Sequence, residues 1–188
     1  GADLNIKNDN GHTAAHIAAY CGYDEVLQEL CKYPVNINQQ SNDGSTPLYL
    51  AAQEGHINAL RRLIEFGADL NIAMSTNSWM PIHAAVSYGH IKAVEVLLSQ
   101  CKDNKKIVDI NQTMIDGRTL AYFAAETGRE DILRFLHQHK VDLSKATKDG
   151  CTPAYIAAQN NHGRVLDALG ELGADLNKAA GNGWMPIH

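Results

Sequence analysis

Histidine and cysteine are the residues best equipped to hold a metal or attack a substrate, and this 188-residue sequence carries nine of the first and four of the second. His137 and His139 form a His-x-His pair. On a helix two such residues point about 200° apart and suit a shared ion poorly. Cys21, Cys31, Cys101 and Cys151 are widely scattered. They have neither the paired spacing of a zinc site nor the density of a disulfide scaffold, and read as free thiols of a reducing compartment. No His-Glu-x-x-His, paired Cys-x-x-Cys, phosphate loop or Gly-x-Ser-x-Gly is present, so the usual spacings that bring nucleophile, base or metal together are missing. The sequence therefore nominates no catalytic residue, no metal ligand and no cofactor, and the expectation is a protein that is not itself an enzyme.

The bulk properties agree. Apolar residues make up 45% and charged residues 20%, the proportions of a chain that folds around a core. The formal net charge of −5 argues against nucleic acid, whose binders show a basic face. No run reaches the roughly 18 apolar residues of a membrane span. The chain does not open on Met and carries no signal peptide, and is expected to be a monomeric fragment or processed product.

The elements must come from a repeat. A turn dipeptide ends at Gly11, Gly44, Ser78, Gly117, Gly150 and Gly183, in steps of 33, 34, 39, 33 and 33 residues. Behind each follows a version of Thr-Pro-Leu-His-x-Ala-Ala, at Thr13–Ala19, Thr46–Ala52, Met80–Val86, Thr119–Ala125, Thr152–Ala158 and the stub Met185–His188. Gly55-His56, Gly89-His90 and Gly128-Arg129 mark mid-units, and Gly-Ala-Asp-Leu-Asn closes units at Gly1–Asn5, Gly67–Asn71 and Gly173–Asn177. Gly181-Asn182-Gly183 is in phase with these turns, which makes it a turn and not a phosphate cradle.

One unit shows the physics. Asp43-Gly44 is a turn dipeptide. Thr46 is placed to cap a helix, and Pro47 fits its first turn. Ala51 and Ala52 let a neighbouring helix approach, and Gly55 ends the helix in a left-handed cap. A second helix carries Ile57, Leu60, Leu63 and Ile64 on one face. Such a pair cannot bury its apolar face alone and needs neighbours on both sides.

These motifs resemble the ankyrin repeat, and the resemblance runs the length of the chain. It implies an all-α helical solenoid, stacked helix–turn–helix pairs with projecting β-hairpin loops, forming one domain over 1–188. Residues 1–5 end a preceding repeat, full repeats fall at about 6–38, 39–71, 72–111, 112–144 and 145–177, and 178–188 begin another. The imidazoles of His16, His83 and His188 are implied to be structural, bonding between neighbouring loops. Residues 102–107 are an insertion, either a tolerated surface loop or a contact peculiar to this protein. Neither end has the polar outer face of a capping repeat, so the parent chain is expected to continue past His188. Met80 and Met185 replace Thr and lose a hydroxyl cap worth roughly 1 kcal/mol. Asn161 stands at the position of Gly55, where Asn is the next-best left-handed residue. Gly163 and Gly170 weaken the second helix of that repeat. His137 at an aliphatic position and Lys140 at a terminal Gly position loosen the repeat before it.

The resemblance also implies a function, an interaction module that binds a protein or peptide partner on a concave surface of hairpin tips and first helices. The positions flanking the hairpin Gly, and the two before the mid-repeat Gly, are Asn10, His12, Tyr20 and Cys21; Asp43, Ser45, Gln53 and Glu54; Asn77, Trp79, Ser87 and Tyr88; Asp116, Arg118, Glu126 and Thr127; Asp149, Cys151, Gln159 and Asn160; and Asn182 with Trp184. Hot spots favour Trp, Tyr and Arg, which singles out Trp79, Tyr88 and Arg118. A second reading of Trp79 stays open: its ring packs on neighbouring hairpins, and the copy Trp184–His188 of Trp79–His83 reflects a duplicated block. Asp43, Glu54, Asp116, Glu126 and Asp149 bias the surface towards a basic or amphipathic partner. Two other roles fit the sequence. One is a regulatory or targeting arm of a larger enzyme, channel or secreted host-directed effector; the other is an architectural spacer or spring. The expected location is the cytoplasm, of a host cell if the protein is such an effector.

Overall fold

The computed structural model describes residues 3–99 and 108–178. The 102–107 insertion, His188, and Trp184 with the motif around it lie outside the described residues. The chain divides into two compact units, Gly1–Val108 and Asp109–His188, the boundary falling directly after the insertion.

The first unit holds three helix pairs: α1 (Ala14–Cys21) with α2 (Asp24–Leu30), α3 (Pro47–Glu54) with α4 (Ile57–Glu65), and α5 (Pro81–Tyr88) with α6 (Ile91–Ser99). The second holds α7 (Leu120–Glu126) with α8 (Glu130–Gln138), and α9 (Pro153–Gln159) with α10 (Gly163–Glu171). The first helices of successive pairs pack on one another, α1 on α3 on α5, and the second helices do the same, α2 on α4 on α6. In the second unit α7 packs on α9 and α8 on α10.

The helices start where the sequence places their caps. The hydroxyl oxygens of Thr46, Thr119 and Thr152 accept the N–H of Tyr49, Tyr122 and Tyr155, each at 3.1 Å. Met80 brings no such oxygen, and there the His83 Nδ1 accepts the Met80 N–H at 3.1 Å. His16 serves Thr13 in the same way at 3.1 Å. Asn161, Lys140 and Ser78 hold positive φ of 60°, 61° and 60° at positions where other repeats use glycine. Helix α10 runs its nine residues through Gly163 and Gly170.

Among the described residues there is no strand. The expected hairpins are tight turns, each closed across its base by Asn8 N–H to the His12 carbonyl, Ser41 to Ser45, Met74 to Trp79, Met114 to Arg118 and Thr147 to Cys151, at 2.8–2.9 Å. A second bond runs from the N–H of Gly11, Gly44, Ser78, Gly117 and Gly150 to the carbonyl of Asn8, Ser41, Met74, Met114 and Thr147 in turn, at 2.9–3.1 Å. The next outward-facing groups are used sideways. The Asn42 N–H donates to the Asn10 carbonyl (3.0 Å), Ser75 to Asp43 (3.2 Å) and Lys148 to Asp116 (2.9 Å), so tips within a unit are tied to each other rather than extended into ladders.

Leu27 and its in-phase counterpart Leu60 are fully buried, and this face of each second helix meets the next repeat. The opposite face behaves differently at the first repeat. Ile17 and Val26 are each 46% exposed, while their in-phase counterparts Leu50 and Ala59 are 9% and 0% exposed. Among the described residues the first repeat has a neighbour on one side.

Candidate functional site

In the first unit the tip before α3 is built around Asp43. Its Oδ1 accepts the Ser45 N–H (3.0 Å), the Ser45 hydroxyl (2.8 Å) and the Ser41 hydroxyl (2.5 Å). Burial works against the charge, but these bonds, with His12 nearby, outweigh it and hold the carboxyl below the usual carboxylate range. The next tip is fixed by Asn77, whose Oδ1 accepts the Trp79 N–H at 2.9 Å. Trp79 and Met74 are partly buried and pack on Tyr49, Leu50 and Ala84. The indole is thus part of the packing between α3 and α5, with an edge left to solvent.

Tyr88 lies one turn beyond Ala84 on the same face of α5 and is 49% exposed. Tyr20, at the end of α1, is 50% exposed. Gln53 and Glu54 end α3 half-buried, with the Gln53 amide donating to Glu54 Oε1 at 2.9 Å. The Tyr49 phenol is pushed up to about 12 by burial first, then by Tyr88 and Asp43. Two residues placed on this surface from the sequence are not there. Ser45 and Ser87 are buried, and the Ser45 hydroxyl is taken up by Asp43 and Ser41. His12 is half-buried and stacks on His16 with ring centroids 5.3 Å apart.

In the second unit Arg118 is held close to its own turn. Its Nε donates to Asp116 Oδ2 at 2.6 Å, its N–H to Oδ1 at 3.0 Å, and its guanidinium lies 4.9 Å from the Phe123 ring centroid. Burial opposes the Asp116 charge, but the Arg118 bonds outweigh it and keep that carboxyl below its ordinary value. Glu126 goes the other way: burial first, then Asp116, raise it against the pull of Arg118. Asp149 and Gln159 are exposed. The Trp79 ring therefore rests on the face of α5 that carries Ala84 and Tyr88, and Arg118 belongs to the second unit.

Sequence reasoning missed two features. Ile115, 82% exposed at its tip, lies one step outside the positions flanking Gly117. Its in-phase counterparts Asp9, Asn42 and Lys148 are polar, a contrast that could have drawn attention to it. The second is a row of histidines heading second helices. His56 Nε2 donates to the Tyr20 carbonyl (3.0 Å), His90 to Gln53 (2.9 Å) and His162 to Glu126 (3.0 Å). Each carbonyl requires the proton on Nε2. These imidazoles tie the solvent-facing ends of α1, α3 and α7 to the repeat that follows. Elsewhere, His139 lies against the Phe135 ring with centroids 4.2 Å apart. Among the described residues no three His, Cys, Asp or Glu side chains gather as a metal site.

His16 carries a pH expectation. Its Nδ1 accepts from Thr13 and its Nε2 faces the Ser45 carbonyl at 3.2 Å, so the neutral Nε2–H form fits. Burial, partly opposed by the Ser45 carbonyl, lowers its pKa below the ordinary 6.5. The unfolded chain then binds the proton more readily, so stability is complete above about pH 6.5 and lost as pH falls through the folded value. Thermal melts from pH 7.5 to 5 should show that loss, and His16→Gln should flatten it. An unchanged slope in the variant would assign the acid sensitivity to other groups.

Comparison with known proteins follows this geometry. A model of ankyrin repeats, spanning three copies, matches residues 1–74, 33–109 and 82–180. The crystal structure of the human ASB11 ankyrin repeat domain is similar at 26% identity and a TM-score of 0.85, covering 100% of this chain and 80% of that one. In all, 568 chains of solved structure match, so the likeness speaks for the fold and singles out no partner. No curated protein sequence matches significantly.

Proposed function

We propose, since the chain belongs to the ankyrin repeat family, that it acts by binding and not by catalysis, recognising a protein segment on its turn tips and first helices. Repeats of this family are generally protein–protein interaction modules. The observation that carries the reading here is the exposure of Tyr20 and Tyr88, each about half open to solvent, Tyr20 at the end of α1, where the His56 imidazole holds its carbonyl, and Tyr88 at the end of α5, whose residues Pro81–Ser87 are buried. Large aromatics on a rigid frame supply contact area at little ordering cost. The first-unit surface positions Asp43, Gln53, Glu54 and Asn77 add acidic and amide groups to the same set of tips and first helices, which favours a basic or amphipathic segment. The free thiols of Cys21, Cys31 and Cys151 suit a reducing compartment such as the cytosol.

Capture from cytosolic lysate tests this. The wild-type chain should retain a partner that the Tyr20→Ala, Tyr88→Ala double variant, shown to melt normally, loses by at least about tenfold. Equal retention by both would move the site off this surface, and no specific retention would favour a spacer role.

A further inference from the structure

In the first unit the surface between α3 and α5 is a stripe with its own chemistry. Asp43 and Trp79 sit on neighbouring tips, joined by the Ser75 N–H to the Asp43 carbonyl at 3.2 Å. Below them Tyr49 and Ala84 form a floor against which the Trp79 indole rests. One helical turn further down, Tyr88 follows Ala84 and Gln53 follows Tyr49. Ala84 leaves no side-chain bulk between the indole above and the phenol below. The stripe therefore presents Trp79 and Tyr88 over a floor that includes the buried Tyr49, with the Asp43 tip at its head. Tyr49 senses both Asp43 and Tyr88 electrostatically, in keeping with its place beneath both.

We infer that this stripe is a seat for one cationic side chain, a lysine or arginine of the bound segment, with its charge against the aromatic faces and directed to Asp43. This deepens the binding reading above and rests on it. Aromatic faces attract a cation through their quadrupole, and a nearby carboxylate supplies the rest. Among the described residues Asp43 and Glu54 form no ion pair, whereas Asp116 in the second unit is already occupied by Arg118 at 2.6 Å. His12 is the basic group facing Asp43 within the unit, and no Lys or Arg occupies the tip or first-helix positions of the first three repeats. A neutral apolar residue would bring no countercharge to Asp43, whose partners in the tip are neutral hydroxyl and amide donors.

The test uses the whole chain with Trp184→Phe, which leaves Trp79 as its one tryptophan. Two synthetic peptides are compared, one carrying spaced lysines in an alanine background and one with each lysine replaced by norleucine. The lysine peptide should bind more tightly by about tenfold, quench Trp79 emission and weaken with salt. Asp43→Asn, which keeps an oxygen for the Ser41 and Ser45 bonds, and Tyr88→Ala should each remove most of that preference in protein that a thermal melt shows to be folded at the assay temperature. Equal binding of the two peptides, or a lysine preference untouched by both variants, overturns the seat. The lysate experiment separates the two proposals. A partner captured equally well by wild type and Asp43→Asn keeps the module and removes the seat. Lysine preference without any captured partner does the reverse.

Discussion

Trp79→Ala is expected to lower the stability of the first unit by about 2 kcal/mol and, per folded molecule, to weaken partner binding by at least about 2 kcal/mol. The two losses have separate origins. A fully buried Trp truncated to Ala costs roughly 3–5 kcal/mol. Trp79 is half-buried, packed with Met74 on Tyr49, Leu50 and Ala84, so a reduced share of that figure applies. The exposed edge of the indole is what remains for a partner. Chemical denaturation gives the first quantity, and titration well below the melting temperature gives the second. An unchanged melt would mean that the indole contributes nothing to the α3–α5 junction. Unchanged binding would make it structural alone.

Gly44→Ala is expected to cost about 3 kcal/mol, the sum of two effects. Gly44 has φ +89°, where a side chain costs roughly 1–2 kcal/mol. A methyl there also lands on the Ser75 backbone nitrogen and within 2.7 Å of its hydroxyl. Overpacking of this kind typically costs about 1–3 kcal/mol, and a backbone atom cannot swing aside as a side chain can. Gly67→Ala is the natural control. Its φ is +87°, yet nothing lies within 4 Å of the added carbon, so it carries the backbone strain alone, about 1–2 kcal/mol. Urea denaturation of both variants isolates the tip-to-tip contact as the difference. Equal losses would show that the tips tolerate an extra methyl. The same contact positions Asp43 through its carbonyl, so Gly44→Ala should also weaken binding of a basic segment.

What was legible in the sequence was what local rules decide. Thr46 and Pro47 announce a helix start because capping and the fixed φ of proline act within one turn. Asn161 and Lys140 were recognisable as stand-ins for glycine because the repeat register demanded a left-handed residue there. Contacts that cross from one repeat to the next were harder. His56 and Tyr20 are 36 residues apart, and although the recurring Gly-His dipeptide marks the donor, nothing marks the carbonyl it reaches. The hydroxyl missing at Met80 is a lost cap for the N–H three residues on, and what the sequence did not show is that the His83 imidazole accepts the Met80 N–H, a different donor. Ser45 flanks a tip glycine and so looked available. Its hydroxyl turned inward because Asp43, two residues before, needed a donor. Trp79 illustrates the limit most clearly, since sequence named the residue type that binds partners and the structure shows the same ring holding α3 to α5.

The uneven exposure of the first repeat sets up a gradient in local cooperativity. In a linear array each repeat is stabilised by its own folding and by the interfaces it shares. Among the described residues the helices α3 and α4 share two interfaces, whereas α1 and α2, with Ile17 and Val26 open to water, share one. Amide protons of the first pair should therefore exchange through local openings that leave α3 and α5 folded. Because Tyr20 sits at the edge of that fraying zone while Tyr88 ends a helix buried from Pro81 to Ser87, the two tyrosines differ in how firmly they are held. Tyr88 comes ready-ordered, and a partner that grips Tyr20 must also supply the free energy that keeps the first pair closed.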